Sequence, residues 1–284
     1  MAENSKIEWT DHTFNPWIGC TKISVGPQGA CEHCYAESWA KRTGNAALWA
    51  GSRRRTTSAN WRQPLKWNAE AERAGVRPRV FCASLADVFD NDVPEAWRAD
   101  LFSLIRQTPH LDWLLLTKRI GNAWRMTQRA LWDIGMHPSM HHSMPGNVWL
   151  GATIATRSEM LRDGPKLRET PGARVYFWSV EPQLGEFGEI PRELMPDWII
   201  IGGESGAGAR PFVLGWGKEI VRQCHAAGVA CFVKQVGARP VNREGERCPH
   251  VHDRKGGMME EWPLELRVRQ FPRSAQIGET DHRS

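Results

Sequence analysis

Three cysteines near the start of the chain have the types and spacing to do chemistry: Cys20 in Gly19-Cys20-Thr21, and Cys31 and Cys34 in Cys31-Glu32-His33-Cys34-Tyr35-Ala36. Their count separates two chemistries. A structural zinc takes four protein ligands, whereas a [4Fe–4S] cube held by three thiolates keeps one iron open to a further ligand. The interval Thr21–Ala30 contains Gly26, Pro27 and Gly29, which favour tight turns and let the first thiol return to the CxxC pair. On these residues alone zinc stays open, because His33 or His12 could complete a tetrahedral set.

The elements that must position these thiols repeat along the chain. Apolar runs at Val80-Phe81-Cys82, Trp113–Leu116, Val148–Leu150, Val175–Trp178, Trp198–Ile201 and Cys231–Val233 recur at roughly the length of a strand-helix unit. Phe14–Gly19 supplies a first strand ahead of the cysteines. Helix-like stretches with apolar residues at 3–4 spacing fall at Glu32–Arg42, Pro94–Gln107, Glu159–Leu167 and Gly217–Ala227. The order predicts an α/β fold: a partial or irregular (β/α) barrel of TIM-like type with six or seven mainly parallel strands. Residues 1–240 are expected to form that barrel, with an insertion at 41–79, and residues 241–284 an extension that packs across it and frays near Ser284.

In such a barrel the residues that follow each strand share one rim, where active sites are built. Here that rim collects Ser84 and Asp87; Thr117, Lys118 and Arg119; Thr153; Ser179 and Glu181; Gly202, Gly203 and Glu204; and Lys234 and Gln235. The first strand delivers Cys20 to it. Lys118 and Arg119 suit an anionic ligand, and Glu181, ahead of Pro182, suits an ammonium or hydroxyl. The glycines of Gly202-Gly203-Glu204-Ser205-Gly206 allow backbone N–H groups close to a carboxylate or phosphate. Arg210 adds positive charge beside them.

Composition bounds the rest. With 41% hydrophobic and 24% charged residues the chain reads as globular, without an apolar stretch long enough to span a membrane and without the apolar core of a secretory signal at its start. A cytoplasmic location with reduced thiols is the expectation. Cys82 and Cys231 sit in apolar strands as small hydrophobes, Cys224 and Cys248 are scattered, and no disulfide framework fits. Lys41–Arg79 carries ten basic and two acidic residues, including Arg53-Arg54-Arg55, with Trp49, Trp61 and Trp67 interleaved. That pattern suits phosphates and stacked bases, and equally a solvated face whose tryptophans pack on the core. His137, His141 and His142 read as a surface loop.

The run Ile7-Glu8-Trp9-Thr10-Asp11, with Asn15-Pro16-Trp17, Gly19-Cys20-Thr21-Lys22 and Cys34-Tyr35-Ala36-Glu37, resembles the start of a phage-type three-cysteine family similar to radical S-adenosylmethionine (radical SAM) enzymes and associated with a three-Cys-motif partner protein. Later blocks also resemble it: Ser84-Leu85-Ala86-Asp87-Val88-Phe89, Leu116-Thr117-Lys118-Arg119, Val148-Trp149-Leu150-Gly151, Ser179-Val180-Glu181-Pro182, Gly202-Gly203-Glu204-Ser205-Gly206 and Phe232-Val233-Lys234-Gln235. The resemblance implies a [4Fe–4S] cluster on Cys20, Cys31 and Cys34, S-adenosyl-L-methionine (SAM) as cosubstrate, an electron donor, and reductive SAM cleavage that modifies a substrate; the basic charge of 41–79 separately suggests a nucleotide, nucleic acid or phosphorylated metabolite as that substrate. In that reading Ser84, Asp87, Gly202, Gly203 and Glu204 contact SAM, Lys118, Arg119 and Glu181 serve the reaction, and Arg210, Lys234 and Gln235 hold an anionic group. The chain departs from the usual radical SAM pattern in its wide first cysteine interval, in His33 where an aromatic often precedes the last cysteine, and in a Gly-Gly-Glu that follows the sixth strand. Two readings without catalysis stay open: a zinc-stabilised nucleic-acid-binding module and a barrel that serves a partner protein.

Overall fold

A computed structural model describes residues 2–3, 5–136, 143–206 and 208–273. Seven parallel strands run in chain order across one sheet: β1 (His12–Phe14), β2 (Arg79–Cys82), β3 (Asp112–Thr117), β4 (Val148–Thr153), β5 (Val175–Val180), β6 (Trp198–Gly202) and β7 (Ala230–Gln235). Ala2–Glu3 adds an antiparallel edge beside β1. β1 and β7 share no neighbour, so the sheet is a curled half-barrel, the partial (β/α) barrel expected. All six apolar runs are strands. The expectation of a strand over Phe14–Gly19 is corrected. Pro16 cannot donate to a ladder, so the chain leaves the sheet after Phe14, and Trp17–Ile18 pairs instead with Arg54–Arg55 in an antiparallel ribbon.

Seven α-helices are described: α1 (Tyr35–Arg42), α2 (Ser58–Trp61), α3 (Gln63–Ala74), α4 (Glu95–Gln107), α5 (Ile120–Asp133), α6 (Arg157–Glu169) and α7 (Leu214–Ala227). The four expected helices are present with shifted ends. α2, α3 and α5 lie outside the expected set, although α5 buries Ile120, Ala123, Met126, Thr127, Ala130 and Leu131, an apolar stripe at helical spacing.

Because side chains alternate across a strand, the sheet has two cores. Toward the helices point Val80, Cys82, Trp113, Leu115, Leu150, Trp178, Ile199, Ile201 and Val233. The concave face instead gathers Trp9, Phe81, Leu114, Trp149, Val175, Phe177, Trp198, Ile200 and Phe232. Gly151 sits in this inner layer because the Phe177 ring occupies the space of a side chain there: a Cβ would lie 2.3 Å from the ring. The C-terminal segment seals the amino-terminal end of the concavity. Gln270 N–H donates to Cys231 O at 2.8 Å, and Phe271 packs on Trp198 and Phe232 with Arg79 3.9 Å above its ring.

No described helix is long and apolar enough to cross a membrane. The histidine-rich stretch at 137–142 and the chain end beyond 273 lie outside the described residues.

Candidate active site

The floor of the concavity is apolar and its mouth is polar. One position beyond the aromatic layer the inward side chains become Asn15, Thr153, Ser179, Glu181 and Lys234, all at the carboxyl ends of their strands. Gly202 joins this layer, and its missing side chain leaves room for Glu181, whose Cγ would stand 3.3 Å from a Cβ. Three polar atoms in this region are buried without a partner: Thr153 Oγ1, Glu181 Oε1 and Gln183 Oε1. A buried polar group left unpaired costs about 1–3 kcal/mol, so these three are the groups at the mouth that a ligand or water would satisfy.

Lys234 donates to Glu181 Oε2 at 2.8 Å. Burial acts to lower the lysine pKa, but the Glu181 carboxylate prevails and raises it above its ordinary value. The second carboxylate oxygen of Glu181, Oε1, meets no donor among the described residues. Gln235 is spent differently from the anion contact expected of it, since its amide donates to the Gly203 carbonyl at 2.8 Å.

The three cysteines stand along this mouth on one continuous stretch. Cys20 follows the ribbon strand Trp17–Ile18 and is tied by its N–H to Leu48 O. Gly19 before it has φ +119°, and a Cβ there would meet the carbonyls of Leu48 and Ser52 at 2.7 Å, so only glycine lets the chain pass. Cys31 N–H donates to Ser24 O at 2.7 Å, and Cys34 is the residue before α1. Tyr35 carries its hydroxyl to the Ser84 carbonyl, linking the CxxC segment to the exit of β2. At that exit Ala83 adopts φ +64°, the one non-glycine residue at positive φ among those described, and Asn15 holds the turn by accepting from Leu85 N–H at 2.8 Å and donating to Ser84 Oγ at 3.0 Å.

All seven cysteines are free thiols. Among the described residues no three His, Cys, Asp or Glu side chains lie close enough together to hold one metal ion. The donor chemistry nevertheless fits a three-thiolate cluster: three thiols in one loop-and-helix stretch, at the end of the half-barrel where polar groups stand unpaired. Burial and the Asp87 carboxylate push the Cys20 thiol up to about 12, against the pull of Arg119, whose Nη1 lies 3.7 Å from the sulfur.

Asp87 and Arg119 form the centre of a buried charge network. Asp87 accepts from Thr117 Oγ1 at 2.7 Å, Phe89 N–H at 2.9 Å, Lys118 N–H at 3.1 Å and Arg119 Nη1 at 3.3 Å. Arg119 also donates to the Thr21 carbonyl at 2.6 Å and lies 3.6 Å from Asp90. Arg53 binds the same Asp90, together with Asp92 and Thr21 Oγ1. The sequence offered no sign that Arg53 and Asp90 belong to this site. The network clamps Thr21, the residue after the first cysteine.

A second clamp holds the other end of the cysteine loop. Arg210 makes a bidentate pair with Glu204 and donates from Nη1 to the carbonyls of Pro27 and Gly29 at 3.0 Å each. Burial would raise the Glu204 pKa, but Arg210 lowers it below the ordinary carboxylate value, with His33 adding to the effect. Glu204 and Arg210 are thus engaged with each other and with the loop. Lys118 has no partner for its ammonium among the described residues. In the segment 41–79, Trp67 is buried and stacks on His12 at 4.4 Å, Arg55 lies 4.3 Å over Trp61, and Arg53 is internal. These residues follow the packed-face reading, while Arg54, Arg62, Lys66 and Arg73 stay exposed.

Solved structures similar to this chain include a cysteine-to-serine mutant of spore photoproduct lyase (15% identity, TM-score 0.45, covering 70% of this chain and 57% of the lyase). A double mutant of the same enzyme with bound AdoMet and dinucleoside spore photoproduct is also similar (13% identity, TM-score 0.44, covering 85% and 60%). The chain therefore spans under two thirds of those lyase chains. No curated protein matches it. The family model for DUF5131, described as a protein of unknown function, matches residues 4–264, and the chain belongs to that family.

Proposed function

We propose that the chain is an enzyme of the radical SAM type, in which Cys20, Cys31 and Cys34 hold a [4Fe–4S] cluster and the polar mouth of the half-barrel receives SAM and a nucleotide or nucleic-acid substrate. The observation that carries this reading is the coincidence at one strand end of three free thiols and three buried polar atoms without partners. When bound, such a cluster would supply one electron, drawn from an external donor, to the sulfonium of SAM, so that its bond to the 5′ carbon breaks, methionine leaves, and the 5′-deoxyadenosyl radical takes a hydrogen atom from substrate.

The protein's own residues bind, orient and exclude water. Glu181 presents Oε1 to an ammonium group, with Lys234 fixing the carboxylate from behind. Thr153 and Gln183 add polar partners beside it. Beneath them the ring layer of Trp149, Phe177, Trp198 and Phe232 keeps bulk water from a reactive intermediate. Asp87 is saturated by internal donors, so its part is to position Arg119 and through it Thr21 and Cys20. Gathering the thiols asks for movement of the loop 21–30 and leaves the sheet in place. The engagement of Arg53, Arg55, Trp61 and Trp67 inside the fold weighs against a module whose main work is to present them to nucleic acid. The exposed cations of the same segment remain suited to a phosphate backbone.

Anaerobic reconstitution with iron and sulfide, followed by SAM and a reductant, tests the proposal. Cluster absorption and 5′-deoxyadenosine are expected from the wild type, and both should disappear in Cys20→Ser, Cys31→Ser and Cys34→Ser but persist in Cys248→Ser. Tight binding of one zinc, with no cluster and no 5′-deoxyadenosine, would refute it.

A further inference from the structure

Beside the polar mouth, on the side of α5 and α6, lies a cavity of about 370 Å³ that shares Thr153 and Arg119 with the site proposed above and is otherwise unused by it. Its walls bring together Lys118, the first residues of α5, Thr153 of β4, and Arg162 and Lys166 of α6, with Ile23, Ser24 and Ala30 of the cysteine loop on a further side. We infer that this cavity is a phosphate-binding site and that it holds a phosphoryl group of the substrate next to the thiols. The nucleotide reading above identifies the carrier; the affinity for phosphate stands on the cavity itself.

Several independent features converge on an anion. α5 is a 14-residue helix whose first turn is capped by no side chain; the Asn122 N–H donates to the Arg119 carbonyl at 2.9 Å, which leaves the N–H groups of Ile120 and Gly121 and the helix dipole toward the cavity. Gly121 in that turn has no side chain to obstruct approach, and the stem of Lys166 would lie 3.7 Å from a Cβ there. Lys118, half-buried, brings an ammonium that no described residue pairs. Thr153 is 5% exposed, lines the wall, and has a hydroxyl with no partner, a donor that a phosphate oxygen would satisfy.

The acids of the cavity are already engaged. Asp163 takes Arg162 and Lys166, at 2.9 Å for the lysine, and those cations overcome burial to hold its carboxyl below the ordinary value. Glu159 accepts from Ala155 N–H at 2.7 Å and from Ser24 Oγ at 3.4 Å. Arg119, also in the wall, is neutralised by Asp87. Glu159 has neutral donors only, and the second cation on Asp163 offsets its charge; what then remains is Lys118 together with the helix N-terminus, a set suited to an anion. Because Arg119 reaches from this wall to Cys20 Sγ, a phosphate bound here would place its carrier against the first cysteine.

Isothermal titration of the purified chain, with its cysteines intact and no reconstitution, tests this with inorganic phosphate, a nucleoside 5′-monophosphate, the parent nucleoside and SAM. Phosphate and the monophosphate should bind, the nucleoside should bind much more weakly, and Lys118→Met and Thr153→Val should each weaken the monophosphate about tenfold. Arg129→Ala, on the outer face of α5, should leave binding unchanged. Equal affinity in wild type and Lys118→Met would overturn the inference. So would loss of SAM binding alone in that variant, which would assign the site to a carboxylate. Since titration needs no cluster, a failure here is separable from a failure to form 5′-deoxyadenosine.

Discussion

Arg53→Met probes whether the basic segment is machinery for the cysteine loop or a surface for nucleic acid. The Arg53 side chain and that of Asp90 are each 2% exposed, and Arg53 additionally bonds Thr21 Oγ1 at 2.7 Å, Asp92 at 3.0 Å and the Ser52 carbonyl at 2.8 Å. Removing one partner of a buried pair costs about 3–5 kcal/mol, because the other charge is left uncompensated. Arg119 remains 3.6 Å from Asp90, which places the expected loss at the lower end, about 3 kcal/mol. For a chain of this size that lowers the melting midpoint by about 6–12 °C. Arg55→Met, two residues on, breaks a pair with Asp100 whose side chains are 34% and 54% exposed. Its expected cost is about 1 kcal/mol, most of it the stacking on Trp61. Urea unfolding with unchanged slope gives the difference directly. Arg53→Met should also retain less iron and sulfide after reconstitution, because Thr21 beside Cys20 loses its anchor. Equal destabilisation by the two substitutions would refute the clamp. So would an Arg53→Met protein of wild-type stability that has lost nucleic-acid binding.

Other expectations follow from the same geometry. Gly151→Ala puts a Cβ against the Phe177 ring and should cost about 1–3 kcal/mol, and adding Phe177→Leu should recover part of it; additive losses in denaturant midpoint would disprove the contact. The Glu204 carboxyl is held below its ordinary value in the folded chain. Its contribution is therefore present in full above the unfolded pKa and is lost as pH falls through the folded one. Glu204→Gln should be less stable than wild type at pH 7, with the gap closing below about pH 4. A gap of constant size across urea midpoints from pH 7 to pH 3 would show that Arg210 gains nothing from the charge. Glu181→Gln should weaken SAM binding in the reconstituted protein while leaving the cluster absorption in place. An unchanged SAM affinity would move the ammonium contact to another residue.

Six of the seven parallel strands were legible because each apolar run can be read on its own, and the polar residue at each run's end follows from strand geometry; the first was not, because Pro16 ends it early. Glu181, Thr153, Lys118 and Lys234 could therefore be assigned to one rim before any coordinates. Their separate roles were not legible, because a role depends on which neighbour reaches which atom. Arg53, Arg54 and Arg55 are identical letters, yet strand alternation sends Arg53 and Arg55 to one side and Arg54 to the other, and only Arg53 meets a buried acid. That acid, Asp90, lies 37 residues away, beyond anything a local pattern can register. The same holds for Arg210, whose glycine-rich surroundings suggested an anion site but whose guanidinium is committed to Glu204 and the loop carbonyls.

The two clamps give the cysteine loop its particular mechanics. Arg53 and Arg119 fix Thr21 just after the first cysteine, and Arg210 fixes Pro27 and Gly29 just before the second, so the loop that separates the thiols is anchored near both ends. Lys118, Thr153 and the start of α5 border that segment from below. A phosphate seated there would contact the wall formed by Ile23, Ser24 and Ala30 and would favour loop positions in which the wall is closed. Substrate binding and thiol gathering then share one moving part. Occupancy of the cavity should accordingly protect the amides of residues 21–30 from hydrogen exchange in the wild-type chain and not in Lys118→Met. Protection spread evenly over the half-barrel, or absent in both proteins, would show that cavity and loop are uncoupled.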